Sequence, residues 1–136
     1  MNRALLLLAH GARDPRWAVP FETLAQRLRV LVPDIAVRLS YLEFLPPDLA
    51  TAGAELARGG CQRVDVLPLF LGGGGHVRND VPRLVHELAR EYPHVEWFTH
   101  ATIGEVDSVI DAMARACLAL AFDGVGADGA AAAGGA

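Results

Sequence analysis

Apolar positions along this chain recur with a period that alternates between that of a strand and that of a helix. Residues 3–9 carry an unbroken apolar run, Ala4 to Ala9, of strand length. A loop over 10–16 follows. Phe21, Leu24, Leu28 and Leu31 then recur at spacings of three and four, which predicts a helix over 18–32 with these four on its buried face. Pro33-Asp34 ends it. Over 35–41, Val37, Leu39 and Tyr41 alternate with Arg38 and Ser40, the pattern of a second strand. Pro46-Pro47-Asp48 opens a second helix that runs to Arg58 and stops at Gly59-Gly60. Residues 63–69 are nearly continuous in apolar character, as expected of a central strand covered on both faces. After four glycines, Val81, Leu84, Val85, Leu88 and Ala89 form the inner face of a third helix, which Pro93 ends. Residues 95–99 make a fourth strand. A last helix over 105–122 turns Val106, Val109, Ile110, Met113, Cys117 and Leu120 inward. Four successive βα units predict an α/β fold, a four-stranded parallel sheet with helices on both faces and right-handed crossovers.

With 136 residues the chain has the size of a single domain, expected over 1–122. From Asp123 onward glycine, alanine, aspartate and one valine remain, too little bulky apolar area to offset chain entropy, so 123–136 is expected to be a disordered tail. Hydrophobic residues reach 52 %, yet no run approaches the roughly 18 consecutive apolar residues of a membrane span. No cleavage-type leader precedes the first strand, so the expectation is a soluble, cytoplasmic protein without a membrane partner. Cys61 and Cys117 are too few and too far apart for a zinc ribbon or a disulfide framework. A net charge of −4 argues against nucleic acid as a partner, because phosphate binding relies on a basic surface. All 12 basic residues are arginine. Without lysine, the run Gly72 to Gly75 is no Walker-type phosphate loop. No Gly-x-Ser-x-Gly elbow is present either. His10-Gly11-Ala12-Arg13 differs from a histidine-phosphatase motif at Ala9, where the phosphate-gripping arginine would stand.

The candidate chemistry gathers at one edge. Strands of a parallel sheet point the same way, so residues just past their carboxyl ends meet where ligands bind. His10 follows the first strand and His76 follows the third with its glycines, and the two imidazoles are expected to meet there. Glu43 follows the second strand in Tyr41-Leu42-Glu43-Phe44-Leu45-Pro46, flanked by apolar residues that would raise a carboxyl pKa and favour proton acceptance. Neutral imidazole is a good ligand for first-row divalent metals, and two histidines with one glutamate leave coordination positions free for a substrate. His10 and His76 are therefore the candidate metal ligands, and together with Glu43 the candidate catalytic set. His100 follows the fourth strand at the same edge and is a further possibility, whereas His86 and His94 read as surface residues. Gly74 and Gly75 would let backbone approach a flat, bulky ligand. Arg13, Arg16 and Arg78 lie near the same loops as candidate partners for carboxylates.

Three segments carry a resemblance to a known family: Leu8-Ala9-His10-Gly11-Ala12-Arg13-Asp14-Pro15, Tyr41-Leu42-Glu43-Phe44 ahead of a proline, and Leu67-Pro68-Leu69-Phe70-Leu71-Gly72-Gly73-Gly74-Gly75-His76-Val77-Arg78-Asn79-Asp80-Val81-Pro82. Together they resemble the small CbiX-type sirohydrochlorin chelatases over roughly residues 5–120, the third being the specific one. The resemblance implies an ATP-independent class II chelatase, a lyase that inserts Co²⁺, Fe²⁺ or Ni²⁺ into sirohydrochlorin on the route to cobalamin or sirohaem. The metal is then a substrate, and no tightly bound cofactor is expected. The resemblance assigns His10 and His76 to metal binding and proton acceptance, with Glu43 as acidic partner. After Ile103-Gly104 many relatives have a His-Pro pair, and this chain has Glu105-Val106, so a substrate contact from that loop is not carried over. Chains this short resemble half of the larger two-domain chelatases, which implies a homodimer. Two other classes share these residues, a non-catalytic metal or tetrapyrrole carrier and a flavodoxin-like interaction module with incidental histidines.

Overall fold

A computed structural model describes residues 2–123, with the side chains of Gly75 and His76 outside the described set. Most of the expected tail therefore also lies outside it. The chain divides into two compact units, Met1–Ile103 and Gly104–Ala136.

The first unit contains β1 (Arg3–Ala9), α1 (Val19–Leu31), β2 (Ala36–Tyr41), α2 (Leu49–Arg58), β3 (Arg63–Pro68), α3 (Gly75–Glu91) and β4 (Glu96–Thr99). All strand pairs are parallel, in the order β2-β1-β3-β4. The chain leaves β1 toward β2 on one side and returns to β3 on the other, so the order reverses between β1 and β3. That reversal opens the crevice where ligands of open α/β sheets bind.

Side chains alternate across β1 and separate two cores. Ala4, Leu6 and Leu8 face Val64 and Val66 of β3 and pack under Leu49 and Ala52 of α2 and Val81, Val85 and Leu88 of α3. Leu5 and Leu7 face the other way, toward Ala25 and Leu28 of α1. Helices therefore cover both faces, as the periodicity predicts. Leu6, Leu8, Val64 and Val66 are fully buried, and truncating a leucine at such a site costs about 2–5 kcal/mol.

Three expectations shift. Of the four apolar residues assigned to the buried face of α1, Leu24 is 38 % and Leu31 is 73 % exposed. The contact stripe instead runs through Ala25, with Phe21 and Leu28 partly buried beside it. At about 100° per residue, Leu24 and Leu31 fall roughly a quarter turn off that stripe. Helix α2 begins three residues later than expected: Asp48 caps it by accepting from the Thr51 amide at 2.8 Å, and Pro46-Pro47 lie ahead of the cap. Helix α3 begins at Gly75 and holds Pro82 inside, the proline costing one backbone donor while Val81, Val85 and Leu88 remain buried.

The second unit contains α4 (Asp107–Leu118), which widens into a looser turn over Ala119–Asp123. The residues expected to face inward here are not buried: Ile110 and Leu120 are 49 % and 65 % exposed, since amphipathic spacing shows that a face can be covered but not what covers it. No helix among the described residues is long and apolar enough to cross a membrane.

Candidate functional site

The carboxyl end of β1 builds the centre of the site. Pairing of β1 with β2 continues past both strands, because the amides of Leu42 and Glu43 donate to the carbonyls of Ala9 and His10 at 3.0 and 3.1 Å. The loops that carry His10 and Glu43 are thereby sewn together. Gly11 makes this possible. It holds φ +95°, and a Cβ there would overlap the carbonyl oxygen of Glu43, so a side chain is excluded both by conformation and by space. Beneath the loops, Ala9, Ala18 and Tyr41 form a small core with Trp17, Phe21 and Leu45. The Trp17 ring stacks 4.6 Å from that of Phe21.

On this platform Nε2 of His10 lies 3.3 Å from Oε2 of Glu43. Both side chains are half exposed, and the edge of the nearly buried Phe70 ring approaches the imidazole at 6.4 Å between centroids. The apolar setting expected for Glu43 is not found: its carboxylate stands at the solvent edge beside His10, while the apolar neighbours Leu42 and Leu45 turn toward the cores. Sequence adjacency brings apolar residues near in number but not around the carboxylate.

From the other side of the crevice, β3 continues into the glycine run. The Leu69 amide donates to the Leu8 carbonyl at 2.8 Å, which holds this exit against the end of β1. Gly74 caps α3, and Gly75 and His76 form its first turn. Among the described residues a Cβ at Gly72 or Gly74 would meet nothing within 4 Å, and neither has a positive φ, so nothing described there demands glycine. The His76 side chain lies outside the described residues, and the expected meeting of the two imidazoles rests on the backbone alone. Among the described residues no three histidine, cysteine, aspartate or glutamate side chains converge as a metal centre.

The three arginines differ. The Arg13 guanidinium lies 4.7 Å over the Phe44 ring. Arg78 reaches back to the glycine run and donates to the Gly73 carbonyl at 3.2 Å. Arg16 is committed to Asp14, with Nη2 and Oδ2 2.8 Å apart, and its hydrogen bond holds the Asp14 carboxyl below its usual range.

His100 is occupied by a structural partner that sequence reading missed. Its Nε2 lies 2.9 Å from Oδ1 of Asp65, a carboxylate only 2 % exposed in the middle of β3. Arg63 donates to both Asp65 oxygens and Arg3 to one. Burial pushes the Asp65 carboxyl up, but the hydrogen bonds from Arg63 and His100 and the charges of Arg3 and Arg63 outweigh it and bring it down to about 2. The one available signal was a lone acid between Val64 and Val66 in an apolar strand. His86 and His94 are exposed, as expected.

Comparison with known proteins identifies the family. The CbiX family model matches residues 4–118. A sirohydrochlorin cobaltochelatase of Saccharolobus solfataricus is 33 % identical over 60 % of this chain and 62 % of its own length. A sirohydrochlorin ferrochelatase of Bacillus subtilis is 24 % identical over 83 % of this chain and 43 % of its own. The chain thus spans about half the length of these curated relatives. A crystal structure of a CbiX protein from Marinobacter aquaeolei VT8 superposes with a TM-score of 0.74 at 31 % identity, covering 86 % of this chain and 93 % of that one. With the family model matched over residues 4–118 and the parallel fold shared, the chain belongs to the CbiX family.

Proposed function

We propose that this chain forms the catalytic unit of a sirohydrochlorin metal chelatase that works without ATP, taking Co²⁺, Fe²⁺ or Ni²⁺ as substrate. The observation that carries the reading is the His10–Glu43 pair, 3.3 Å apart at the switch point of the sheet. Insertion replaces two pyrrole N–H protons by one divalent ion, and the ion must shed water as it enters. A site for this reaction needs a nitrogen ligand and a proton acceptor side by side. An imidazole beside a carboxylate supplies both: His10 receives a pyrrole proton or holds the ion, and Glu43 carries the proton on to solvent. His76, one strand away in the first turn of α3, is the second ligand in this reading.

The glycine run supports a flat ligand. Since no described atom would meet a Cβ at Gly72 or Gly74, the space above them is read as room for the macrocycle face. Arg78 beside the run and Arg13 over Phe44 are the proposed partners for peripheral carboxylates. Arg16, turned onto Asp14, is a weaker candidate. A second copy of the chain is proposed to cover the other face of the macrocycle.

Purified protein incubated with sirohydrochlorin and each of Co²⁺, Fe²⁺ and Ni²⁺ should convert the absorption spectrum to that of the metallated product, faster than a protein-free control. Binding of macrocycle or metal with no acceleration would favour the carrier reading. Binding of neither would leave an interaction module.

A further inference from the structure

An unusual stretch of backbone lies next to Glu43. Phe44 has φ +67°, a left-handed conformation that costs a side-chain-bearing residue and is rare for a bulky one. The Leu45 amide donates to the Glu43 carbonyl across it at 2.8 Å. Such an i to i+2 bond around a positive central φ is the strained form of the three-residue turn. The result runs against burial as well, for the Phe44 ring is 52 % exposed. A phenylalanine here is thus doubly unfavourable for the fold, and glycine or asparagine would suit the backbone better. Strained residues of this kind cluster at ligand clamps, where the surroundings hold them in place.

The surroundings are visible. The carbonyl on which the turn closes is the one packed against Gly11, and the amide of the same Glu43 is bonded to His10. The turn cannot relax without moving the site. What it displays is an aromatic face with the Arg13 guanidinium 4.7 Å above it. A long exposed arginine ordinarily samples many rotamers; an aromatic face holds its planar head while leaving its N–H edges open to a planar acid. Arg13 and Glu43 thus flank the same turn, one ready for an anionic group and the other for protons.

We infer that Phe44 is a positioning residue that holds Arg13 to receive a peripheral carboxylate of the macrocycle, making the site selective for polycarboxylate tetrapyrroles. The inference rests on the chelatase reading above and assigns a determinant of its substrate specificity. Phe44 acts through Arg13, so its effect should fall on binding and on charge selectivity rather than on the insertion step.

The test uses Phe44→Gly, Phe44→Trp, Arg13→Ala and the double variant Phe44→Gly/Arg13→Ala, with sirohydrochlorin and its methyl ester as probes. Glycine fits the backbone at this position, so Phe44→Gly should fold and melt no lower than the parent. It should raise the Kd and KM for sirohydrochlorin about tenfold, the scale of a lost charge-assisted contact, and leave kcat for Co²⁺ insertion unchanged. Phe44→Trp should restore affinity. The double variant should bind no worse than Arg13→Ala alone, and the ester should bind all four variants alike. In the nuclear magnetic resonance spectrum, the Arg13 side-chain protons should lose their ring-current shift in Phe44→Gly. Parental affinity in Phe44→Gly overturns the inference, and so does an ester that loses affinity with the ring, which would mean that the ring touches the macrocycle itself. If the parent chain binds no sirohydrochlorin, the chelatase reading falls and this inference with it; if the parent binds and Phe44→Gly binds equally well, the inference alone falls.

Discussion

At 3.3 Å, Nε2 of His10 and Oε2 of Glu43 are close enough to pass a proton with little rearrangement, and both remain open to solvent, where that proton must finally go. General acid–base groups of this kind contribute about 10²–10⁴-fold to rate. His10→Ala should therefore cut insertion by at least about 10²-fold, while leaving the melting temperature unchanged, because the half-exposed ring supports no core. His100→Ala should do the reverse, lowering stability and sparing kcat, because its ring is bonded to Asp65. Steady-state rates and thermal melts on the two variants check both, and a His10→Ala protein with parental kcat would remove the imidazole from the mechanism. The contrast also marks what can be read from a sequence at this scale. His10 and His100 both follow strands of one parallel sheet, so topology alone places both at the site edge. Only the neighbour separates them, and Asp65 is 35 positions away from His100 in the chain. The Phe44 turn was equally hidden, because a positive φ on phenylalanine has no sequence signature.

Among the elements, β3 has to carry a carboxylate through the middle of the sheet, and the ions around it make that tolerable. Asp65 is held at about 2 against an ordinary value near 3.8. Its folded-state pKa is thus depressed, so its contribution to stability is complete above the unfolded value and disappears as pH falls through the folded one. The shift corresponds to about 2 kcal/mol, present above pH ~4 and lost toward pH ~2. Asp65→Asn should lose about that amount at pH 7, and not the larger cost of an orphaned buried ion, because Arg3 and Arg63 are 46 % and 38 % exposed and keep water. Urea unfolding at several pH values checks this: the gap between parent and variant should narrow as pH drops from 4 to 2, and a constant gap would mean that Asp65 acts by packing alone. The strands themselves were readable from alternation and run length, since all four recur within a residue or two of expectation. Helices were readable in position but less so in facing. For α1, a wide apolar arc left the contact stripe ambiguous, and Ala25, small and easily passed over, sits at its centre. For α4, the stripe was readable but not what covers it.

At the scale of the whole molecule, the proposed second copy has two surfaces to account for. A tetrapyrrole is broad and flat, and one sheet edge can contact only one of its faces. The chain also leaves apolar residues in water: Val30 and Leu31 at the end of α1 are 75 % and 73 % exposed, and Ile110, Leu118 and Leu120 in the second unit range from 49 % to 65 %. Covering such apolar area recovers about 25 cal/mol for each Å² removed from water. A closed twofold arrangement in which the two switch-point edges face one macrocycle is proposed to meet the first demand, whereas Val30 and Leu31, beside the amino end of β2, lie at the other edge of the sheet. The expected outcome is a mass near twice 14.5 kDa by light scattering at micromolar concentration, with one sirohydrochlorin bound per two chains in an absorption titration. Replacing Ile110 and Leu120 together by aspartate should shift the mass toward one chain if the second unit's exposed stripe holds the copies together, while far-ultraviolet circular dichroism stays as in the parent. A single chain that inserts metal at the full rate would show that one sheet edge suffices.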